Sequence, residues 1–192
     1  MSLFNLLTEE EKKFGKLVLL NKGQILFHEN DLCEYVGLVT KGHIVISSYT
    51  LSGNEVIYNY IGVDDMFGNN LLFSNNPYYK GNVIATIDSE IMLFNKGNLL
   101  MIFQQNPVFL EEYLRFQAEF AKNLNHKLKI LSFDSAEERL LYLLTEKKKM
   151  RIKSVSALAK ELFLSRETLS RLITRLVEEG KISRKGNIVE LL

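Results

Sequence analysis

Between Leu164 and Leu176 the sequence reads LSRETLSRLITRL, and its residue types fall into two stripes at helical spacing. Leu169, Leu172, Ile173 and Leu176 recur at i, i+3, i+4 and i+7, the pattern of one apolar helix face. Arg166, Glu167, Ser170, Arg171 and Thr174 follow the same spacing on the opposite side. The chemistry this second stripe suits is the reading of nucleic-acid bases. An arginine presents a fork of donors that matches the two acceptors of guanine, and a carboxylate accepts from cytosine N4. Arg166, Glu167, Ser170 and Arg171 are therefore the candidate base readers. Ser165 and Thr168 at the helix start, with Lys185 beyond it, are placed for phosphate oxygens, which fix register without reading sequence.

A reading helix needs elements that brace it. SVSALAKELF and LSRETLSRLITRLVEEG are two helical stretches separated by a very short turn, with AEERLLYLLTEKKK as a helix before them. KISRKGNIVELL follows as strand, turn at Lys185-Gly186-Asn187, and strand. These are the parts of a winged helix-turn-helix, whose second helix enters the major groove of DNA. The turn Leu162-Phe163-Leu164 lacks the usual glycine. Either Phe163 takes a positive φ, at a strain of roughly 1–2 kcal/mol, or the turn is built differently.

Charge divides along the same line. The 192-residue chain carries a net charge of +1, but Met1–Phe133 holds 11 Lys/Arg against 14 Asp/Glu, while Asp134–Leu192 holds 13 against 9. An acidic body with a basic C-terminal piece points the second part at a polyanion. The single cysteine, Cys33, excludes an internal disulfide framework and a four-cysteine metal site, and it suits a reducing cytoplasm. The first residues turn acidic too soon for a secretory signal, and no apolar run approaches the ~18 residues of a membrane span. A cytoplasmic protein with no membrane association is expected.

Ahead of the basic piece the texture is β. QILFH, YVGLV, HIVISSYT, EVIYNYI and NVIATI are β-branched or aromatic runs separated by glycine- and asparagine-bearing turns. That spacing predicts a small antiparallel roll. Leu99–Gln105 reads as a short helix, and Pro107–Phe133 as one long helix. On the long helix Leu110, Gln117, Leu124 and Leu131 are seven apart, as are Leu114, Ala121 and Leu128, an a/d seam for a second copy of the chain. The expected fold is α+β, with a β-roll sensor domain over residues 1–105, a dimerisation helix over 106–133 and a winged helix-turn-helix over 134–192.

With these pieces in place, the chain resembles the cyclic-AMP receptor protein/fumarate-nitrate reductase regulator (CRP/FNR) family of bacterial transcription factors. NKGQILFHEND, VTKGHIVISS, LSGNEVIYNYIGVDDMFGNNLLF and NVIATIDSEIMLF resemble successive pieces of its cyclic-nucleotide-binding-type roll, and FDSAEERLLYLL resembles the entry to its DNA-binding domain. SRETLSR carries the Arg-Glu-x-x-x-Arg pattern of the receptor branch on Arg166, Glu167 and Arg171. It also carries the Glu-x-x-Ser-Arg pattern of the oxygen-sensing branch on Glu167, Ser170 and Arg171. The resemblance implies a homodimer on a palindromic DNA operator with TGA-containing half-sites, Glu167 and Arg171 as principal readers, and RNA polymerase and a small-molecule effector as further partners.

The effector region departs from the family pattern. Cyclic-nucleotide binders carry Gly-Glu and then Arg followed by Ser or Thr, a carboxylate for the ribose and a guanidinium for the phosphate. Here the carboxylate position is Asn69, after Gly68, and the Arg-Ser pair falls on Tyr79-Lys80. The base-contacting pair of the long helix falls on Asn123-Leu124. An effector other than cyclic AMP is expected, held near Gly68, Asn69, Leu72, Tyr79, Lys80 and Asn123, with Phe67, Phe73 and Tyr78 completing an apolar wall. One cysteine cannot hold an iron–sulfur cluster, and His28, His43 and His126 are scattered, so no metal or cofactor is expected. The same scatter weighs against a metal-dependent enzyme built on the roll. The competing expectation is a ligand-binding module whose winged domain has become vestigial.

Overall fold

Short β-branched runs separated by turns can bury one face each only by packing sheet on sheet. The computed structural model describes residues 3–192. A capped helical turn, α1 (Glu9–Lys12), leads into β1 (Lys16–Leu20), β2 (Ile25–Phe27), β3 (Tyr35–Lys41), β4 (Ile44–Tyr49), β5 (Glu55–Ile61), β6 (Met66–Phe67), β7 (Asn82–Ala85) and β8 (Ser89–Asn95). They form two four-stranded sheets, ordered β1-β8-β3-β6 and β2-β7-β4-β5, in which neighbouring strands run antiparallel. Val36, Leu38, Ile44, Phe67, Val83 and Ile91 belong to one buried core. This is the antiparallel roll that the turn spacing predicts.

Helix α2 (Lys96–Gln105) starts three residues earlier than the apolar pattern suggests, because Asn95 caps it by accepting from the Asn98 amide at 2.8 Å. Asn106 ends α2 and starts α3 (Pro107–Leu131): its Oδ1 accepts from the Phe109 amide, and Pro107 takes the first helical position. The chain resolves into two units, one ending at Ala118 and the other running Glu119–Leu192, so the division falls inside α3.

The second unit contains α4 (Ala136–Lys147), β9 (Lys149–Arg151), α5 (Val155–Glu161), α6 (Arg166–Glu178), β10 (Ile182–Lys185) and β11 (Ile188–Leu191). Ser135 and Glu138 form a capping box that begins α4. Strand β9 is absent from the sequence reading, which carries the preceding helix through Lys149. The helix ends instead at Lys147, Lys148 reverses the chain at φ 54, and β9 joins the terminal hairpin in a three-stranded sheet ordered β10-β11-β9. Leu140, Leu144, Leu158, Leu169, Ile173 and Val189 lie in this unit's own core.

Candidate nucleic-acid interface and effector region

The turn before α6 decides how the reading helix is presented. The Phe163 amide donates to the Lys160 carbonyl at 3.2 Å and the Leu164 amide to the Ala159 carbonyl at 2.9 Å. Phe163 sits at φ 56. This is a Schellman ending of α5 with phenylalanine at the left-handed position where glycine is usual. The far end of α6 closes with the same two bonds, Gly180 to Val177 and Lys181 to Leu176, and there the left-handed residue is Gly180 at φ 68.

At the start of α6, Ser165 Oγ accepts from the Thr168 amide at 3.0 Å and lies 2.9 Å from the Thr168 hydroxyl. Two of the three phosphate candidates are thus brought together, exposed, at the positive end of the helix. Leu169, Leu172, Ile173 and Leu176 are buried, whereas Arg166, Glu167, Ser170 and Arg171 are exposed. Those four line one surface depression of about 330 Å³. The carboxyl of Glu167 is held below the usual carboxylate range, first by its own backbone amide, then by Ser165 and the nearby arginines. It is therefore an ionised acceptor at neutral pH. Among the described residues, neither Arg166 nor Arg171 has an acidic partner within 4 Å. Lys185 stands exposed beside the hairpin turn, where Gly186 takes φ 61.

One feature of this unit has no signal in local spacing. Glu137 on α4 accepts from Arg175 at 2.7 Å and from Lys181 at 2.7 Å, and Lys181 also meets Glu179 at 2.8 Å. These four residues tie α4 to the C-terminal end of α6. Lys181, ahead of Arg175, holds the Glu137 carboxyl below its ordinary range. Arg175 is thereby occupied, unlike Arg171 one turn earlier. A surface cavity of about 460 Å³ lies alongside, lined by Ser135, Glu137, Thr168, Arg171 and Arg175 among others.

In the first unit Gly68 takes φ 73, and a Cβ there would lie 2.5 Å from the Tyr35 carbonyl and 3.1 Å from Cys33 Sγ. Only glycine fits. Asn69 is buried and hydrogen-bonded to Gln117, which also donates to the Tyr113 hydroxyl at 3.2 Å. Leu72 and Tyr79 are core residues at 6% and 2% exposure, and the Tyr79 ring stacks on Phe27 with centroids 4.9 Å apart. Burial pushes the Tyr79 phenol up, as does neighbouring Cys33. Phe67 is buried with them, while Phe73, Tyr78 and Lys80 are exposed. Asn123 is exposed on the second unit's part of α3. Gly68, Asn69, Leu72 and Tyr79 are thus brought together, and Lys80 is not buried with them.

On α3 the proposed seam divides. Leu114, Leu124, Leu128 and Leu131 are about half exposed and Ala121 is exposed. Leu110 is half-buried, and Gln117 is occupied by Asn69. Among the described residues no three His, Cys, Asp or Glu side chains converge as a metal-holding group, and no helix is long and apolar enough to cross a membrane.

Comparison with known proteins agrees with this architecture. Residues 17–106 match the cyclic nucleotide-binding domain family. A cyclic AMP receptor protein from Thermus thermophilus is 25% identical over 181 residues, spanning 90% of this chain and 82% of that one. An anaerobic regulatory protein from Bacillus subtilis is 24% identical over 112 residues, 58% of this chain and 47% of its own. The crystal structure of the Thermus thermophilus catabolite activator protein superposes with a TM-score of 0.60 at 24% identity, over 99% of this chain and 93% of that one.

Proposed function

We propose, from the premise that this chain is a transcriptional regulator of the CRP/FNR type, that it works as a homodimer on an inverted repeat with TGA-containing half-sites. The observation that carries the reading is the exposed arginine pair of α6, with no salt bridge within 4 Å among the described residues, beside an ionised Glu167 and backed by four buried apolar residues. Arg166, Glu167, Ser170 and Arg171 read base edges, with Glu167 and Arg171 as the principal pair. Ser165, Thr168 and Lys185 hold phosphates. The exposed leucines of α3 supply the two-fold interface, and a dimer's symmetry matches half-sites one helical turn apart.

The region around Gly68 modulates the regulator through an effector other than cyclic AMP. Support for this reading is chemical: the position of the ribose carboxylate is Asn69, already bonded to Gln117, and that of the phosphate arginine is Tyr79, buried against Phe27. A contact with RNA polymerase follows from the family premise alone. Selection from a random double-stranded DNA pool by the purified protein, with no ligand added, tests the reading. Enrichment of an inverted repeat with TGA half-sites supports it. A pool left random both without ligand and with cell extract favours the vestigial winged domain instead.

A further inference from the structure

Beside its base readers, α6 carries one cation that the second unit holds back. Thr168, Arg171 and Arg175 recur at i, i+3 and i+7 and so share one stripe of the helix. All three line the surface cavity of about 460 Å³, together with Ser135 and Glu137 from the start of α4. Arg171 has no acidic partner within 4 Å among the described residues, whereas Arg175 Nη2 lies 2.7 Å from Glu137 Oε2. Glu137 Oε1 accepts from Lys181 at 2.7 Å, and Glu179 meets Lys181 at 2.8 Å and Arg175 at 3.7 Å. Two carboxylates thus offset two cations, and the cluster is neutral. The Glu137 side chain is 26% exposed and that of Arg175 54%, so the acid is the sheltered member and the arginine lies at the surface. Without Glu137 the cluster would carry one positive charge. Lys181 would keep its short contact with Glu179, and Arg175 would keep only the long one.

We propose that Glu137 is a positioning residue that sets DNA specificity by withholding Arg175 from phosphates. This rests on the DNA-binding reading above. A cation free to meet phosphates adds affinity for any duplex, because phosphate contacts carry no sequence information. On non-specific DNA the protein can shift until such a cation finds a phosphate. On the operator the base readers fix the register, and a free Arg175 gains only what that register offers. An unmasked Arg175 therefore favours non-specific duplex over operator, and Glu137 removes that advantage. The mask holds against DNA for an electrostatic reason. Surrendering Arg175 to a phosphate would leave the Glu137 carboxylate with a single cation, lining the same cavity as Thr168 and Arg171 and facing a polyanion.

The test uses the full chain and two duplexes of equal length, one with the inverted TGA repeat and one with that repeat scrambled. Affinity for each is measured across a salt series for wild type, Glu137→Gln, Arg175→Gln and the double variant. On the scrambled duplex Glu137→Gln should steepen the slope of log affinity against log salt by about 1.8, ~0.9 for the released arginine of each protomer. Its preference for the operator should fall. Arg175→Gln alone should keep the wild-type slope, and added to Glu137→Gln it should restore that slope, which a loss of packing would not do. An unchanged slope in Glu137→Gln would overturn the mask. So would steepening that persists in the double variant, or a shallower slope in Arg175→Gln alone, which would make Arg175 a phosphate contact already. An equal gain on both duplexes would overturn the effect on specificity. Wild type that binds neither duplex, or both alike, would sink the DNA-reading premise itself and the mask with it. Glu137→Ala is measured alongside, so that the test stands should the glutamine variant fail to fold.

Discussion

Asn69 and Gln117 hold each other by two hydrogen bonds: the Asn69 side-chain amide donates to Gln117 Oε1 at 2.8 Å, and Gln117 Nε2 donates to the Asn69 main-chain carbonyl at 2.9 Å. The Tyr113 hydroxyl donates to the same carbonyl at 3.3 Å. A loop residue is thus fastened to two successive turns of α3 by groups that are mostly shielded from water.

Replacing Gln117 by leucine leaves the Asn69 amide without its acceptor. The expected loss is about 1–3 kcal/mol of stability, the usual penalty for stranding a buried polar group. Asn69→Ala in the same background should recover part of it, because the stranded donor is then gone. Thermal unfolding of the two single variants and the double variant measures the coupling, and strict additivity would show that the two residues do not depend on each other.

Arg171→Ala should weaken operator binding by about 1–3 kcal/mol and relax the preference at one base pair, the pattern of a lost bidentate base contact. Glu167→Lys should change which half-site is selected. Competition binding against single-base operator variants reads both. An Arg171→Ala protein with unchanged preference and affinity would remove that residue from the reading set.

Phe163→Gly should stabilise the chain. A residue other than glycine in the left-handed region costs ~1–2 kcal/mol, and glycine returns ~0.5–1 kcal/mol of that as extra freedom in the unfolded chain. The net gain expected is roughly 0.5–1 kcal/mol, seen as a higher Tm. Phe163→Ala keeps the strain and should show no gain.

Glu137 makes the second unit sensitive to acid. Its folded pKa lies below the ordinary value because of Lys181 and then Arg175. A carboxylate lowered in this way adds stability that is fully present above its unfolded pKa and is lost as pH falls through the folded one. Melting curves from pH 6 to pH 3 should show a shallower acid-side decline for Glu137→Gln than for wild type. Parallel curves would mean that the three-way contact adds nothing.

Cys33 should resist alkylation in the folded protein. Burial raises its thiol pKa, against the opposing effect of hydrogen bonds with the Tyr79 hydroxyl and the Tyr35 backbone. Little thiolate then forms near neutral pH, and reagents have no access to it. Labelling should require denaturant, and rapid labelling of native protein would contradict the burial.

Strand runs, glycine turns, the a/d leucines and the two-sided α6 all repeat at short range, so the roll, the long helix and the helix-turn-helix are legible in the sequence. So is the risk at Phe163, because the turn is too short to hide a missing glycine. What escapes depends on partners far along the chain. Lys149–Arg151 is three residues in a charged run and becomes a strand only through Ile188 to Glu190. Gln117 fits the heptad seam by position, yet its hydrogen bonds go to Asn69, 48 residues away. Tyr79 stands where an exposed pocket wall is expected and is instead stacked on Phe27 in the core. Arg175 has the same type and spacing as Arg171, and only Glu137, 38 residues earlier, takes it out of circulation.

Helix α3 buries Phe109 and Tyr113 in the first core and Ile130 in the second. The boundary between the units at Ala118 thus falls within helical backbone, with each part of α3 contributing to its own unit's core. The backbone on both sides of Ala118 is committed to helical hydrogen bonds. Cutting there would leave each fragment with a severed stub of helix instead of a clean terminus. For anyone preparing the halves separately, a boundary after Leu131 serves one half only, because Ile130 belongs to the second core and would leave with the first fragment.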